Sequence, residues 1–309
     1  EESFHQRQGY EIMMTLCRGT AAQKDMAQDA LDRLWRPSLM MFGPSDTDSQ
    51  HGDQSMKWKI KRFTNDELRQ KFIDATVPQA EYLGLTVPDE NLKWNTQVPG
   101  IGHASPIIWD DALFLVSADE DSGERLLLKL DRKSGKSLWQ KTVLKAPIEK
   151  VQRKNSRASS TPATDGKHVF VSFLDTEKLF VAAYDFDGKK VWEARPGIFT
   201  SRHGYCSSPI LSKDKFIVNG DHDGDAYIVA LDQKTGKTIW KTPRPNKTRS
   251  YCTPIIRTIA GRNQLVLSGS KCVASYDPDS GKQHWIIDGP TEQYVASPVF
   301  DGKYIYMTC

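Results

Sequence analysis

The chain has 309 residues, of which 38% are hydrophobic and 26% charged, with eight Trp and twelve Phe, enough to seed a core and to exclude wholesale disorder. A net charge of +3 gives no electrostatic case for nucleic acid as a partner, and no run approaches the roughly 18 apolar residues of a membrane span. At about 150 residues per domain the length predicts two domains.

The first of them, residues 1–88, reads as helical. Residues 1–17 carry apolar side chains at Phe4, Tyr10, Ile12, Met13, Leu16 and Cys17, with Gly9 as the only breaker. Thr20-Ala-Ala-Gln23 is a capping box, in which hydroxyl and amide satisfy each other's orphan N–H groups. It opens a helix with a predicted buried face of Met26, Ala30, Leu31, Leu34 and Trp35. Pro37 is expected to kink this helix and Gly43-Pro44 to end it. Residues 45–55 are polar and predict a loop. Thr64-Asn-Asp-Glu67 is a second capping box; the helix after it is expected to stop or bend at Val77-Pro78.

After Pro88 the period changes to two, with turn signals at Asp165-Gly166, Asp187-Gly188, Asp223-Gly224 and Asp301-Gly302. Strands are predicted at 112–116, 126–130, 168–173, 180–184, 216–218, 227–231, 265–267 and 304–307. An internal repeat organises them. Asp131-Arg-Lys-Ser-Gly-Lys-Ser-Leu-Trp139 recurs in the runs ending at Trp192, Trp240 and Trp285, and Trp94 fits the same column. A second column, Ser or Thr before Pro, keeps step at Pro106, Pro162, Pro209, Pro254 and Pro298. A period of about 45–50 residues holds four short strands, one β-propeller blade. In this reading the Asp opens a turn, the Gly takes a positive φ, and the Trp begins the outer strand and packs between blades. The Pro starts a strand where a missing N–H costs little.

These columns, with Gly100-Ile-Gly-His-Ala-Ser-Pro106 and Asn219-Gly-Asp-His-Asp-Gly-Asp225, resemble pyrrolo-quinoline-quinone (PQQ)-like β-propeller repeat proteins of the exported bacterial type, over residues 89–309. About four blades and the start of a fifth are expected, an incomplete propeller truncated at the C-terminus. Quinone dehydrogenases of this fold use adjacent cysteines and an acidic calcium set. Cys17, Cys206, Cys252, Cys272 and Cys309 include no adjacent pair and no CxxC, so free thiols are expected, while a disulfide framework, a zinc site and PQQ binding are not. Asp221-His-Asp-Gly-Asp225 spaces like alternating calcium ligands, but Ala226 stands where such a loop wants Gly; a solvated hairpin turn is the expectation. Asn246-Lys-Thr248 is an N-x-T sequon.

The helical part carries the only enzyme chemistry. Glu2-Ser-Phe-His5 puts a carboxylate and an imidazole on one helical face, the Glu-x-x-His pair of di-iron carboxylate bundles. Its surroundings, including residues 58–72 and 75–81, resemble the C-terminal half of the catalytic subunit of the phenylacetyl-CoA epoxidase complex, over residues 1–94. That resemblance implies a ferritin-like fold and a di-iron centre that inserts one atom of O₂ into the ring of phenylacetyl-CoA. It implies other epoxidase subunits and a reductase as partners. It makes Glu2 and His5 iron ligands, with Glu1 a neighbouring acid outside the set. The chain opens at Glu1 without the other ligand-bearing helices, so a fragment without epoxidase activity is expected.

The two resemblances meet in Val87-Pro-Asp-Glu-Asn-Leu-Lys-Trp94, which fits both. A switch inside a shared short string points to a recent or artefactual chimera rather than a linker-joined fusion. The implied compartments also differ, cytoplasmic for the helical part and periplasmic or exported for the propeller. The expected fold class is therefore mixed: a partial ferritin-like α-helical segment (1–88), then an incomplete all-β propeller (89–309). Two functions stand side by side, an inactive epoxidase fragment and a non-catalytic binding or scaffold propeller.

Overall fold

A computed structural model describes residues 2–46, 49, 52–88, 96–149, 152, 155–289 and 291–307; the side chains of residues 2–8, 52 and 53 lie outside that description. The junction string from Asp89 to Trp94 therefore lies outside the described residues. The chain divides into two compact units, Glu1–Leu92 and Lys93–Cys309.

The first unit holds α1 (Glu2–Cys17), α2 (Ala21–Met40), α3 (Gly52–Lys57) and α4 (Asn65–Tyr82). Both capping boxes form. Thr20 Oγ1 accepts the Gln23 N–H at 3.3 Å while Gln23 Oε1 accepts the Thr20 N–H at 2.8 Å. Thr64 and Glu67 repeat the exchange at 3.2 and 2.8 Å. The buried face of α2 is the predicted one only at Leu31 and Trp35. Ala27, Trp35 and Leu39 are buried and Leu31 packs on the core, whereas Met26 and Leu34 are 64% and 61% exposed. The strict four-residue spacing of 27, 31, 35 and 39 makes one continuous ridge. Small Ala27 and Ala80 pack with Leu85 at its centre, and Met13, Leu16 and Cys17 of α1 close over them. Neither proline ends its helix. Pro78 lies inside α4, which runs on to Tyr82 because Ala80 beyond it is buried and accepts the Leu85 N–H at 2.9 Å. Core burial two residues later outweighs the single lost backbone bond. The predicted 45–55 loop gives way to α3 from Gly52.

The second unit is built of antiparallel meanders in which strands pair in chain order. The first sheet holds β1 (Ile107–Trp109), β2 (Ala112–Asp119), β3 (Glu124–Asp131) and β4 (Ser137–Lys145). The second holds β5 (Ala163–Thr164), β6 (His168–Asp175), β7 (Lys178–Asp185) and β8 (Lys190–Ile198). The third holds β9 (Ile210–Ser212), β10 (Lys215–Gly220), β11 (Tyr227–Asp232) and β12 (Thr238–Pro243). The fourth holds β13 (Ile255–Ile259), β14 (Arg262–Gly269), β15 (Cys272–Tyr276) and β16 (Gln283–Asp288). A two-stranded sheet of β17 (Val299–Phe300) and β18 (Ile305–Tyr306) follows. Each proline of the repeat column immediately precedes the first strand of its sheet. Successive sheets share cores: the first and second bury Phe114, Leu127 and Phe173 together, the second and third Phe170, Phe216 and Leu231.

The repeat columns are the links between sheets. Gly135, Gly188, Gly236 and Gly281 all take φ between +69° and +79°, and the turn aspartates accept amides ahead of them, Asp131 from Ser134 at 2.7 Å and Asp232 from Thr235 at 2.8 Å. A Cβ on Gly236 would lie 2.5 Å from the Trp192 ring, and one on Gly281 would lie 2.5 Å from Trp240. Glycine thus serves twice, for the turn and for the tryptophan that packs flat on it. Three of the indole N–H groups then donate to a carbonyl of that next turn: Trp139 to Phe186 at 2.9 Å, Trp192 to Gln233 at 2.7 Å, Trp240 to Pro278 at 3.2 Å; that of Trp285 stays in its own sheet, on Gln264 Oε1 at 2.8 Å. The hydroxyl column forms a staircase. Ser105 N–H donates to Thr161 Oγ1 at 3.1 Å, Thr161 N–H to Ser208 Oγ at 3.0 Å, and Ser208 N–H to Thr253 Oγ1 at 3.0 Å.

Candidate functional site

In the helical unit, α1, α2 and α4 leave an apolar cleft of about 190 Å³. Gly9, Tyr10 and Met13 line it from α1, Leu31 from α2 and Thr76 and Gln79 from α4. Nothing stands within 4 Å of the Cβ position of Gly9, so this glycine opens the floor of the cleft. Helical spacing puts positions 2, 5, 9, 13 and 16 of α1 on one face. Glu2 and His5 belong to α1, and their side chains lie outside the described residues. Among the described residues no three His, Cys, Asp or Glu side chains converge on a point that could hold a metal ion. The cleft lining carries no carboxylate or imidazole either, so the described donor set does not fit a di-iron centre. The cleft itself was not foreseen from the sequence; Gly9, read there only as a helix breaker, was its one signal.

In the second unit the acidic hairpin between β10 and β11 is only partly the solvated turn expected. Asp221 is fully buried and holds Arg244 in a two-pronged pair, Nε to Oδ1 at 2.9 Å and Nη2 to Oδ2 at 3.0 Å. Arg244 also donates to Tyr276 OH at 2.8 Å and to the Gly269 carbonyl at 3.0 Å. Burial disfavours its charge, but the Asp221 carboxylate more than offsets this and holds its pKa above the ordinary arginine value. His222 is buried as well, and burial pulls its pKa below the usual histidine value. Asp223 pairs with Arg249 at 3.0 Å and Asp225 with Lys247 at 2.6 Å. Three carboxylates thus go to three different cations, which opposes the calcium reading. The Asn246 amide of the sequon donates to the Ser270 carbonyl at 2.6 Å, and Thr248 meets Ser270 Oγ at 3.1 Å, so the motif is consumed internally. Trp139, Trp192 and Trp240 are spoken for by packing and by the bonds already described, not left free to stack on a ligand; Trp94 lies outside the described residues. Cys17, Cys206, Cys252 and Cys272 are free thiols. Burial raises the thiol pKa of Cys206 to about 12.

Comparison with known proteins divides the chain in the same way. Residues 1–103 match the family of phenylacetic acid catabolic proteins. Over 97 residues the chain is 62% identical to a 1,2-phenylacetyl-CoA epoxidase subunit of Escherichia coli (strain K12), which is 31% of this chain and 31% of that protein. The chain thus spans about a third of the curated relative it matches. The crystal structure of BamB from Moraxella catarrhalis superposes with a TM-score of 0.50 at 19% identity, covering 69% of this chain and 60% of that one. At that identity the likeness speaks for the fold alone. Residues 123–308 match the family model described as outer membrane protein assembly factor BamB. That match takes in more than half of the residues and the same stretch in which tryptophan and hydroxyl columns join sheet to sheet, and the chain belongs to this PQQ-like, BamB-type β-propeller family.

Proposed function

We propose that the chain joins a partial ferritin-like domain of a di-iron phenylacetyl-CoA epoxidase catalytic subunit, residues 1–88, to a PQQ-like propeller, residues 89–309. We further propose that these 309 residues do not catalyse epoxidation by themselves. The observation that carries the reading is the 62% identity over 97 residues to the epoxidase subunit, confined to 31% of that protein's length. Glu2 and His5 are the iron ligands this segment would contribute. Other epoxidase subunits and a reductase are the partners, and phenylacetyl-CoA and O₂ the substrates, of the parent activity. The described part of the helical unit supplies an apolar cleft without acid or base, so no chemical step is assigned to it. Metal analysis and oxygen uptake test the reading together. The purified 309-residue chain is expected to hold well under two irons and to show no oxygen uptake dependent on phenylacetyl-CoA. Two irons per chain with such turnover would overturn it. One amplicon spanning codons 80–100 decides whether the junction exists in the source DNA.

A second reading is favoured by the repeated links between sheets. In it the chain is a non-catalytic propeller for binding or scaffolding, of the exported bacterial type, with the helical part a chimeric addition. A periplasmic location fits this reading and a cytoplasmic one fits the first. Residues 96–309 produced alone should then melt cooperatively and keep any binding the whole chain has.

A further inference from the structure

The turn between α3 and α4 carries a patch that neither reading above uses. Residues 54–65, Gln-Ser-Met-Lys-Trp-Lys-Ile-Lys-Arg-Phe-Thr-Asn, hold four cations and no acid, in a chain whose net charge is only +3. Lys57, Lys59 and Lys61 alternate with Trp58 and Ile60, which are 62% and 71% exposed and stand outside the core around Ala27, Ala80 and Leu85. The backbone fixes this display. Ile60 N–H donates to the Ser55 carbonyl and Lys59 N–H to the Met56 carbonyl, both at 3.0 Å, the paired bonds that close a helix around a left-handed residue. That residue is Lys59, at φ +58°, where glycine is usual. In such a closure the next apolar residue usually packs back on the helix; here the helix offers Ser55 at that point, and Ile60 stays in solvent. Nor are the cations answered inside the fold. Among the described residues none of Lys57, Lys59, Lys61 and Arg62 has a carboxylate partner: Lys61 Nζ donates to Asn65 Oδ1, and Arg62 lies over the Phe63 ring at 5.5 Å, with Lys71 of α4 over the same ring at 4.5 Å. The acids that follow are committed, Asp66 to Arg69 and Glu67 to the Thr64 N–H. The comparable basic run of the propeller, residues 241–249, is answered internally: Arg244 by Asp221, Lys247 by Asp225 and Arg249 by Asp223.

Exposed apolar side chains set among cations complement a surface with apolar depth beneath a negative face. We infer that residues 57–62 dock on an anionic lipid bilayer, Trp58 and Ile60 entering the boundary between headgroups and acyl chains while Lys57, Lys59, Arg62 and Lys71 meet lipid phosphates. A fluid surface admits the two side chains without a matching pocket, and an indole is well suited to the headgroup level. A single-stranded nucleic acid would find in Ile60 no ring on which to stack a base. Among the described residues no helix is long and apolar enough to cross a membrane, so the contact is one of attachment. The inference is independent of both functional readings, because neither the expected iron ligands nor the propeller contributes a residue to it.

Cosedimentation of the 309-residue chain with lipid vesicles tests the proposal. Vesicles of phosphatidylcholine with about a third phosphatidylserine should pull the chain down, and vesicles of phosphatidylcholine alone at least about tenfold less, because the contributions of the cations add. Raising the salt to about 0.5 M should release most of the bound chain. Trp58→Ser with Ile60→Ser, and separately Lys57→Gln with Lys59→Gln, should each weaken binding about tenfold or more. Lys167→Gln with Lys189→Gln, the same change of charge on exposed propeller lysines, should leave it unchanged. No sedimentation with the anionic vesicles would overturn the proposal, as would equal sedimentation with both compositions or unchanged binding by either double variant at the turn. Retention of a single-stranded oligothymidylate by a chain that ignores the vesicles would do the same. All four altered turn residues are exposed, and the comparison of lipid compositions uses the unaltered chain. Loss of folding in one variant therefore leaves the other variant and the lipid comparison to decide.

Discussion

At Gly236 two demands fall on one residue. Its φ of +69° is strained for any side chain, and a Cβ would stand 2.5 Å from Trp192. Gly236→Ala is expected to cost about 2–3 kcal/mol, read as a lowered urea midpoint with unchanged slope. Gly261, also at positive φ, has nothing within 4 Å of its Cβ position, so Gly261→Ala carries only the strain and should cost less. The Asp221–Arg244 pair is a harsher case, since both side chains are fully buried. Arg244→Met leaves an uncompensated carboxylate in the core and should cost about 3–5 kcal/mol; adding Asp221→Leu should recover most of that. Equal losses in the single and double variants would sink this explanation of the pair.

Elements differ in how far they could be read from the sequence, and the reason is the range of the forces that fix them. The capping boxes were legible because hydroxyl, amide and both N–H groups lie within three residues. Thr20→Ala and Thr64→Ala should each cost about 1 kcal/mol, seen as lost helical ellipticity and a lower melting temperature. The outer strands were legible too, because the Asp-Gly-Trp column marks their starts. The first strands of the blades were not. β5 has two residues and β9 three, too short to show an alternation, and only the preceding proline announces them. On α2, Leu31 and Trp35 were placed on the buried face correctly, and Met26 and Leu34 were not. Composition could not tell Met26 from Ala27, because the choice depends on how closely the neighbours approach. The continuation of α4 past Pro78 has the same origin, a contact at Ala80 that lies outside any local window. The cleft of the helical unit was not legible, because it arises from packing between distant segments; the motif expectation at Glu2 and His5 falls on side chains outside the described residues.

For the molecule as a whole, acid should unfold the propeller unit through its turn carboxylates. Hydrogen bonds from Ser134 and Ser122 hold Asp131 and Asp119 below the usual aspartate value of 3.8, and backbone amides of Tyr304 and Lys303 do the same for Asp301. A folded carboxyl with a depressed pKa binds its proton less readily than the unfolded one. Its contribution is therefore present above pH 3.8 and is lost as the pH falls through that value toward the folded one. Melting temperatures followed from about pH 6 to about pH 3 should fall mainly at the acid end, and less steeply in Ser134→Ala. A flat profile in the unaltered chain would contradict this.

The staircase and the tryptophan bonds have a direction. In each, the donor belongs to one blade and the acceptor to the blade that follows in the chain. As the ribosome lengthens the polypeptide, a completed blade still has its indole and its loop amide unanswered until the next one emerges. Each blade should therefore lock one step behind synthesis. A pause placed early in a blade would leave its predecessor, not itself, as the segment most open to a protease.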